Sequence, residues 1–338
     1  MTLDLDTRSP GRFRDHARAW LTLAPPSEGG AHVIVAGGRR ALAAESLYCR
    51  NGCRLDDILL IRGDFSAGSY CRLTKPVFVG GDCQIGKKCQ VEALSVMGDL
   101  TLGPGAVVNT WAHAGGRLDL RPGCKVRQQA LSERSIVLGA DSAAAFLHAP
   151  EVASHGRLPL AGEPNAQEAI QILPPSSGIL PHGRFMRGFF PEKLSALGAD
   201  TWIYEGTLHL QRPILLRAKL VVRGSFVCPG GSLLEDDVKA GGSIRLGPGS
   251  ISRGHLTARG DVLLERDCLF EGRISAGLSV RLSSGVRGFG SDPVEVAAVE
   301  KIHLEPNVVV RGTLAAEQWV QVVEPEILGG IDLLLAQA

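Results

Sequence analysis

The sequence predicts an all-β solenoid, a β-helix of stacked coils, on three observations. The phrase LGPG occurs at 102–105 and again at 246–249, each time within a ladder of look-alike segments about eighteen residues apart. Between these turns, apolar residues alternate with others over strand lengths. The chain holds 42 glycines yet is only 5% aromatic, which suits a narrow interior better than a thick sandwich. A period this short, carried by apolar residues with glycine between them, marks stacked coils. In such a stack the working surfaces are the ends, one flank or an interruption.

Taken in order, residues 1–30 read as an N-terminal cap or tail. RFRDHARAWLTLAPP places Phe13, Ala17, Trp20 and Leu21 on one helical stripe before Pro25 and Pro26 end it. A stripe of barely two turns suits a cap over the first coil better than a membrane-surface helix over 12–23. Residues 31–145 form a first β-helical block, its ladder opened by Cys49, Phe65, Ile85, Leu102, Leu120 and Leu138. Residues 146–200 break the rhythm with seven prolines, and PNAQEAIQIL and PEKLSALGA read there as short helices with Pro at their starts. The repeat returns in a second block, 201–326, with Leu210, Val227, Leu246, Leu264, Leu282 and Leu304 as its ladder. Residues 327–338 form an apolar C-terminal cap, in which Leu328, Ile331, Leu333, Leu334 and Leu335 are the candidate assembly end.

From Leu246 onward the chain divides into sixes whose first and fifth positions are mostly apolar or small: Leu246, Ser250, Leu256, Ala258, Val262, Leu264, Cys268, Phe270 and onward to Val286. Three short strands per turn, each followed by a bend, account for eighteen residues. Coils then stack at the inter-strand spacing of ~4.8 Å, and only the end coils keep open edges. Cys53, Cys71 and Cys89 are eighteen apart, with Ala106 and Cys124 continuing the column. This reads as a structural stack of small side chains along an inward corner. A zinc site needs tetrahedral convergence, which a linear column does not supply.

IRLGPGSISRGHLTARGDVLLERDCLFEGRISA at 244–276 resembles the bactofilin core, and VMGDLTLGPGAVVNTWAHAGGRLDLRPGCKV at 96–126 follows the same scheme. The chain thus looks like a divergent, doubled bactofilin-type polymer-forming cytoskeletal protein, with the likeness covering about two thirds of its length. The resemblance implies right-handed coils, about six per block, and end-to-end self-assembly without nucleotide. It also implies a bacterial scaffold that recruits cell-envelope or polarity proteins.

Chemical motifs are sparse. Lys and Arg number 36 against 35 Asp and Glu, a balance that argues against nucleic-acid binding. The nine histidines form no HxH or HxxxH pair, so no metal is expected. GGRR at 37–40 lacks the GK[ST] that holds a nucleotide's phosphates, and no cofactor is expected. Asp56-Asp57 and Asp236-Asp237 read as solvated bends. With no secretory signal and eight widely spaced cysteines, a reducing cytoplasm is the expected location. The rival reading is a left-handed hexapeptide-repeat acyltransferase using acyl-CoA, since residues 102–131 also divide into hexads. His113 would then be the general base toward a hydroxyl or amine acceptor. A scaffold that associates with itself, with no catalytic residue, is the favoured expectation; on it His113 is an outward residue, hydrogen-bonded or solvated.

Overall fold

A computed structural model describes residues 9–23, 32–36, 39–154, 170–177 and 193–323. Strands of mostly two to four residues alternate with bends and wind into a β-solenoid of about 14 turns. Each coil makes three strands, so three faces run along the rod. In the first block, face A stacks 41–44, 58–61, 77–79, 94–96, 111–114 and 129–132. Face B stacks 47–49, 65–67, 83–85, 100–102, 117–120 and 135–138. Face C stacks 54–55, 72–73, 90–91, 107–108 and 125–126. All of these pairings are parallel, which satisfies each coil's backbone groups from the coils on either side.

The inward positions are those the hexads predict: Leu246, Ser250, Leu256, Val262, Cys268, Phe270, Val280 and Val286 are all essentially inaccessible. Two ladder rungs shift. Cys49 stacks on Ala67, with Phe65 belonging to the neighbouring column of Leu47 and Cys83. In the second block the buried rung is Cys228, stacked on Leu246, while Val227 stacks on Arg245 and points outward. Val227 and Cys228 are adjacent, so the pleat decides which one faces in; Phe65 and Ala67 are two apart and both face in, so there only the column changes.

The two blocks meet end to end. The long strand Ala143–Ser154 wraps faces C, A and B in turn and pairs antiparallel with Val309–Val322. Ala144 faces Val320, Leu147 faces Leu314, and Val152 faces Val310. Each face of one block thus continues into the other, through the last coil of each. The second block visits the faces in the order A, C, B while advancing the opposite way along the axis. Reversing both direction and order leaves the hand unchanged, so both blocks wind alike.

Three expectations change. The first block does not end at 145 but continues to Ser154. Pro150 sits at a corner where the register shifts between Ala149 and Val152, so it bends the strand without ending it. Within PNAQEAIQIL, Ile170–Ile172 is a strand on Ile214–Leu216. Within PEKLSALGA, Leu194–Leu197 is a strand antiparallel to Thr201–Tyr204. Both segments lie beside the second block's first coil, whose open backbone edge outcompetes a weak local helix preference. Of the insert's helical content, the described residues show one 3₁₀ turn, Pro175–Ser177.

The N-terminal helix, Pro10–Leu23, forms as expected but lies on the flank of face A, not over the first coil. Its Phe13 and Ala17 are fully buried against Ala41, Ile58, Leu60, Phe78, Ala93 and Trp111. Phe13 and Trp111 rings sit 5.7 Å apart. These sheet residues point away from the coil axis, so face A is apolar on both sides and requires a cover.

Candidate assembly ends

A solenoid interacts most readily where its stack stops, because strand edges and core side chains are exposed there. The last coils of both blocks are occupied by one another. One corner of their joint shows how it closes. In the stack, a backbone N–H commonly donates to the small side chain one coil further on: Ile214 to Ser232 Oγ at 3.1 Å, Ser232 to Ser250 Oγ at 3.3 Å, Cys71 to Cys89 Sγ at 3.3 Å. At the joint Val308 has no such successor in its own block, and its N–H donates to Ser154 Oγ of the other block at 2.9 Å. Ser154 in turn donates to the Glu305 carbonyl at 2.8 Å. Nothing in the sequence pattern flagged Ser154, since it lies past the proline that appeared to close the first block.

Two tips remain, and they differ. At the second block's tip the inward residues of the first coil are sealed: Trp202 is 4% exposed, Leu210 2%, and Tyr204 and Leu208 fully buried. Ile170–Ile172 and Leu194–Leu197 add a rung on two of its three faces, and Trp202 Nε1 donates to the Leu173 carbonyl at 2.8 Å. At the first block's tip, His32–Ala36 adds an antiparallel rung on face A, and the described residues add none on the other two faces. Leu42, Leu47, Cys53 and Leu55 there are only partly buried, whereas their neighbours one coil in, Leu59, Phe65, Cys71 and Leu73, are buried. The expected assembly residues Leu328, Ile331, Leu333, Leu334 and Leu335 lie outside the described residues.

The cysteine column stands where expected. Cys71, Cys89 and Cys124 are buried along one corner and Cys53 is half-buried. The thiols of Cys71, Cys89 and Cys124 reach backbone carbonyls at 3.0–3.1 Å. Burial pushes Cys124 up to about 11 and Cys268 up to about 12, the behaviour of inert packing thiols. In the second block Ser232, Ser250 and Cys268 occupy the same corner, so small size, not sulfur, is what the position selects.

His113 points outward from face A but is neither solvated nor well hydrogen-bonded. The helix covers it, its Nδ1 is buried without a partner, and Nε2 lies 3.7 Å from Glu133. Glu133 pairs more closely with Arg14 of the helix, at 2.8 Å. Desolvation holds the imidazole below its usual range, reinforced by Arg14 and opposed by Glu133. A general base needs its acceptor within hydrogen-bond reach, and the N-terminal helix leaves this residue only 8% exposed. The paired aspartates are engaged locally: Asp56 with Thr74 and Arg54, Asp57 with Arg40 at 3.2 Å, and Asp237 with the His255 N–H. Asp56 and Asp57 border a groove of about 570 Å³ with Arg40, Lys75 and Glu92, where the two cations offset most of the acidic charge. Among the described residues no group of three metal-ligating side chains converges, and no helix is long and apolar enough to cross a membrane.

These features define a two-block β-solenoid whose C-terminal coils meet internally. Compared with family models, curated proteins and solved structures, the chain matches none.

Proposed function

We propose that this chain is a structural, scaffold-type element that associates with its own kind through coil ends, in the manner of a bactofilin-like cytoskeletal protein. The observation that carries this reading is the internal joint. The strands Ala143–Ser154 and Val309–Val322 pair across all three faces, so coil ends of this sequence are competent to meet edge to edge. A tip that still presents partly buried core residues has the same physical incentive, at a fraction of the ~1.5–3 kcal/mol that full burial of a large apolar side chain contributes. The rod's flanks carry ladders such as Asp64, Asp82 and Asp99, each accepting a backbone N–H from the next coil at 2.7–2.9 Å. Regular polar flanks of this kind suit recruitment of further proteins along the rod, envelope or polarity factors among them. All eight cysteines are unbridged, in keeping with a bacterial cytoplasmic setting. Light scattering of the pure protein over a hundredfold concentration range, without nucleotide, is expected to show mass rising with concentration. A strictly monomeric protein throughout would overturn the reading.

A further inference from the structure

Resting on that reading, we propose that self-association uses the first block's tip alone, that the partner there is a second copy of this chain, and that the product is a closed twofold pair of rods. The argument starts from the asymmetry of the tips. A filament needs two adhesive ends per molecule, whereas a single adhesive end can only meet its own kind. The second block's tip is sealed on two faces by added strands, and Trp202, Tyr204, Leu208 and Leu210 are hidden. The first block's tip leaves the edges Leu47–Cys49 and Arg54–Leu55 paired on one side only among the described residues.

Its side chains match that role. Val33 on the added strand is 50% exposed, Tyr48 68% and Tyr70 54%. Large exposed apolar residues therefore gather around the partly buried ends of the core columns at Leu42, Leu47, Cys53 and Leu55. The tip is also self-complementary in shape. Among the described residues, face A projects one rung further than its neighbours through His32–Ala36, while faces B and C stop short. A twofold axis through face B sets each copy's projecting strand over the Arg54–Leu55 edge that the other leaves open. Each copy thus fills the other's step.

The test compares one substitution at each tip, in the full chain, by light scattering across concentration. Val33→Glu is expected to weaken pairing more than about tenfold, the factor that ~1.4 kcal/mol represents, while Leu197→Glu at the other tip (57% exposed) leaves it unchanged. Should Val33→Glu lose its β-sheet circular dichroism, Tyr48→Glu replaces it, being still more exposed. Wild-type mass that levels at two copies, with this pattern of variants, supports the proposal. Open-ended growth, or disruption by Leu197→Glu, overturns it while leaving end-directed assembly intact. A protein monomeric at every concentration overturns both.

Discussion

Tyr70 adopts φ of +62° at a corner where most coils carry a left-handed residue. The same position is Gly52, Lys88 (φ 54°), Gly105, Gly123 and Asp141 in the first block, and Gly231, Gly249, Asp267, Gly285 and Asn307 in the second. The second glycine of each LGPG is this residue, which is why that phrase was legible as a turn. Tyr70 and Lys88 were not legible, because the fold imposes the angle on them through their neighbours in the stack. A left-handed non-glycine residue costs ~1–2 kcal/mol, against ~0.5–1 kcal/mol of extra chain entropy for glycine. Tyr70→Gly is therefore expected to stabilise the fold by up to about 1 kcal/mol, read as a rise in melting temperature. A fall would mean that the ring's contact with Lys87, 5.6 Å from its centroid, outweighs the strain. Gly288 shows the opposite logic inside the core: a Cβ there would sit 2.2 Å from the Phe270 ring, so a small residue in one coil makes room for a large one in the next.

At the scale of elements, the N-terminal helix depends on a buried imidazole. Because His113 is held below its ordinary range, chiefly by desolvation, the unfolded chain binds more protons than the folded one as pH falls through about 6.5. The contribution is complete above that pH and is lost progressively below it. Arg14 and Arg18 on the helix sharpen the loss by repelling the imidazolium, while Glu133 moderates it. Trp111 fluorescence is expected to report loosening of the helix between about pH 7 and pH 5, and His113→Gln is expected to flatten the response. An unchanged profile in that variant would remove His113 from the account. The helix itself was readable from Phe13 and Ala17, but its seat was not. Only the folded sheet shows that Ile58, Leu60, Phe78 and Trp111 form an outward apolar flank, since alternation alone does not reveal a face that is apolar on both sides. Ile170–Ile172 and Leu194–Leu197 misled in the same way: a solenoid edge supplies backbone partners that no local pattern announces.

The whole molecule is governed by its internal joint. Ser154 supplies the oxygen that Val308 N–H requires, at 2.9 Å in a fully buried corner. Ser154→Ala leaves that donor unsatisfied, at a cost of ~1–3 kcal/mol. The expected outcome is a lower melting temperature with faster hydrogen exchange at the Val308 amide, while amides near Leu100 keep their protection. Equal acceleration throughout would mean that the blocks unfold as one unit and the joint has no separate weakness.

The eighteen-residue period, the inward columns and the small-residue corner followed from sequence alone, because every coil repeats the same local chemistry and so announces itself many times over. The order in which the blocks meet, the sealing of one tip and the flank position of the helix arose only in the tertiary structure. Each depends on a single, unrepeated contact between segments far apart in the chain, such as Ser154 with Val308 or Trp202 with Leu173. A pattern confined to neighbouring residues carries no trace of such a meeting.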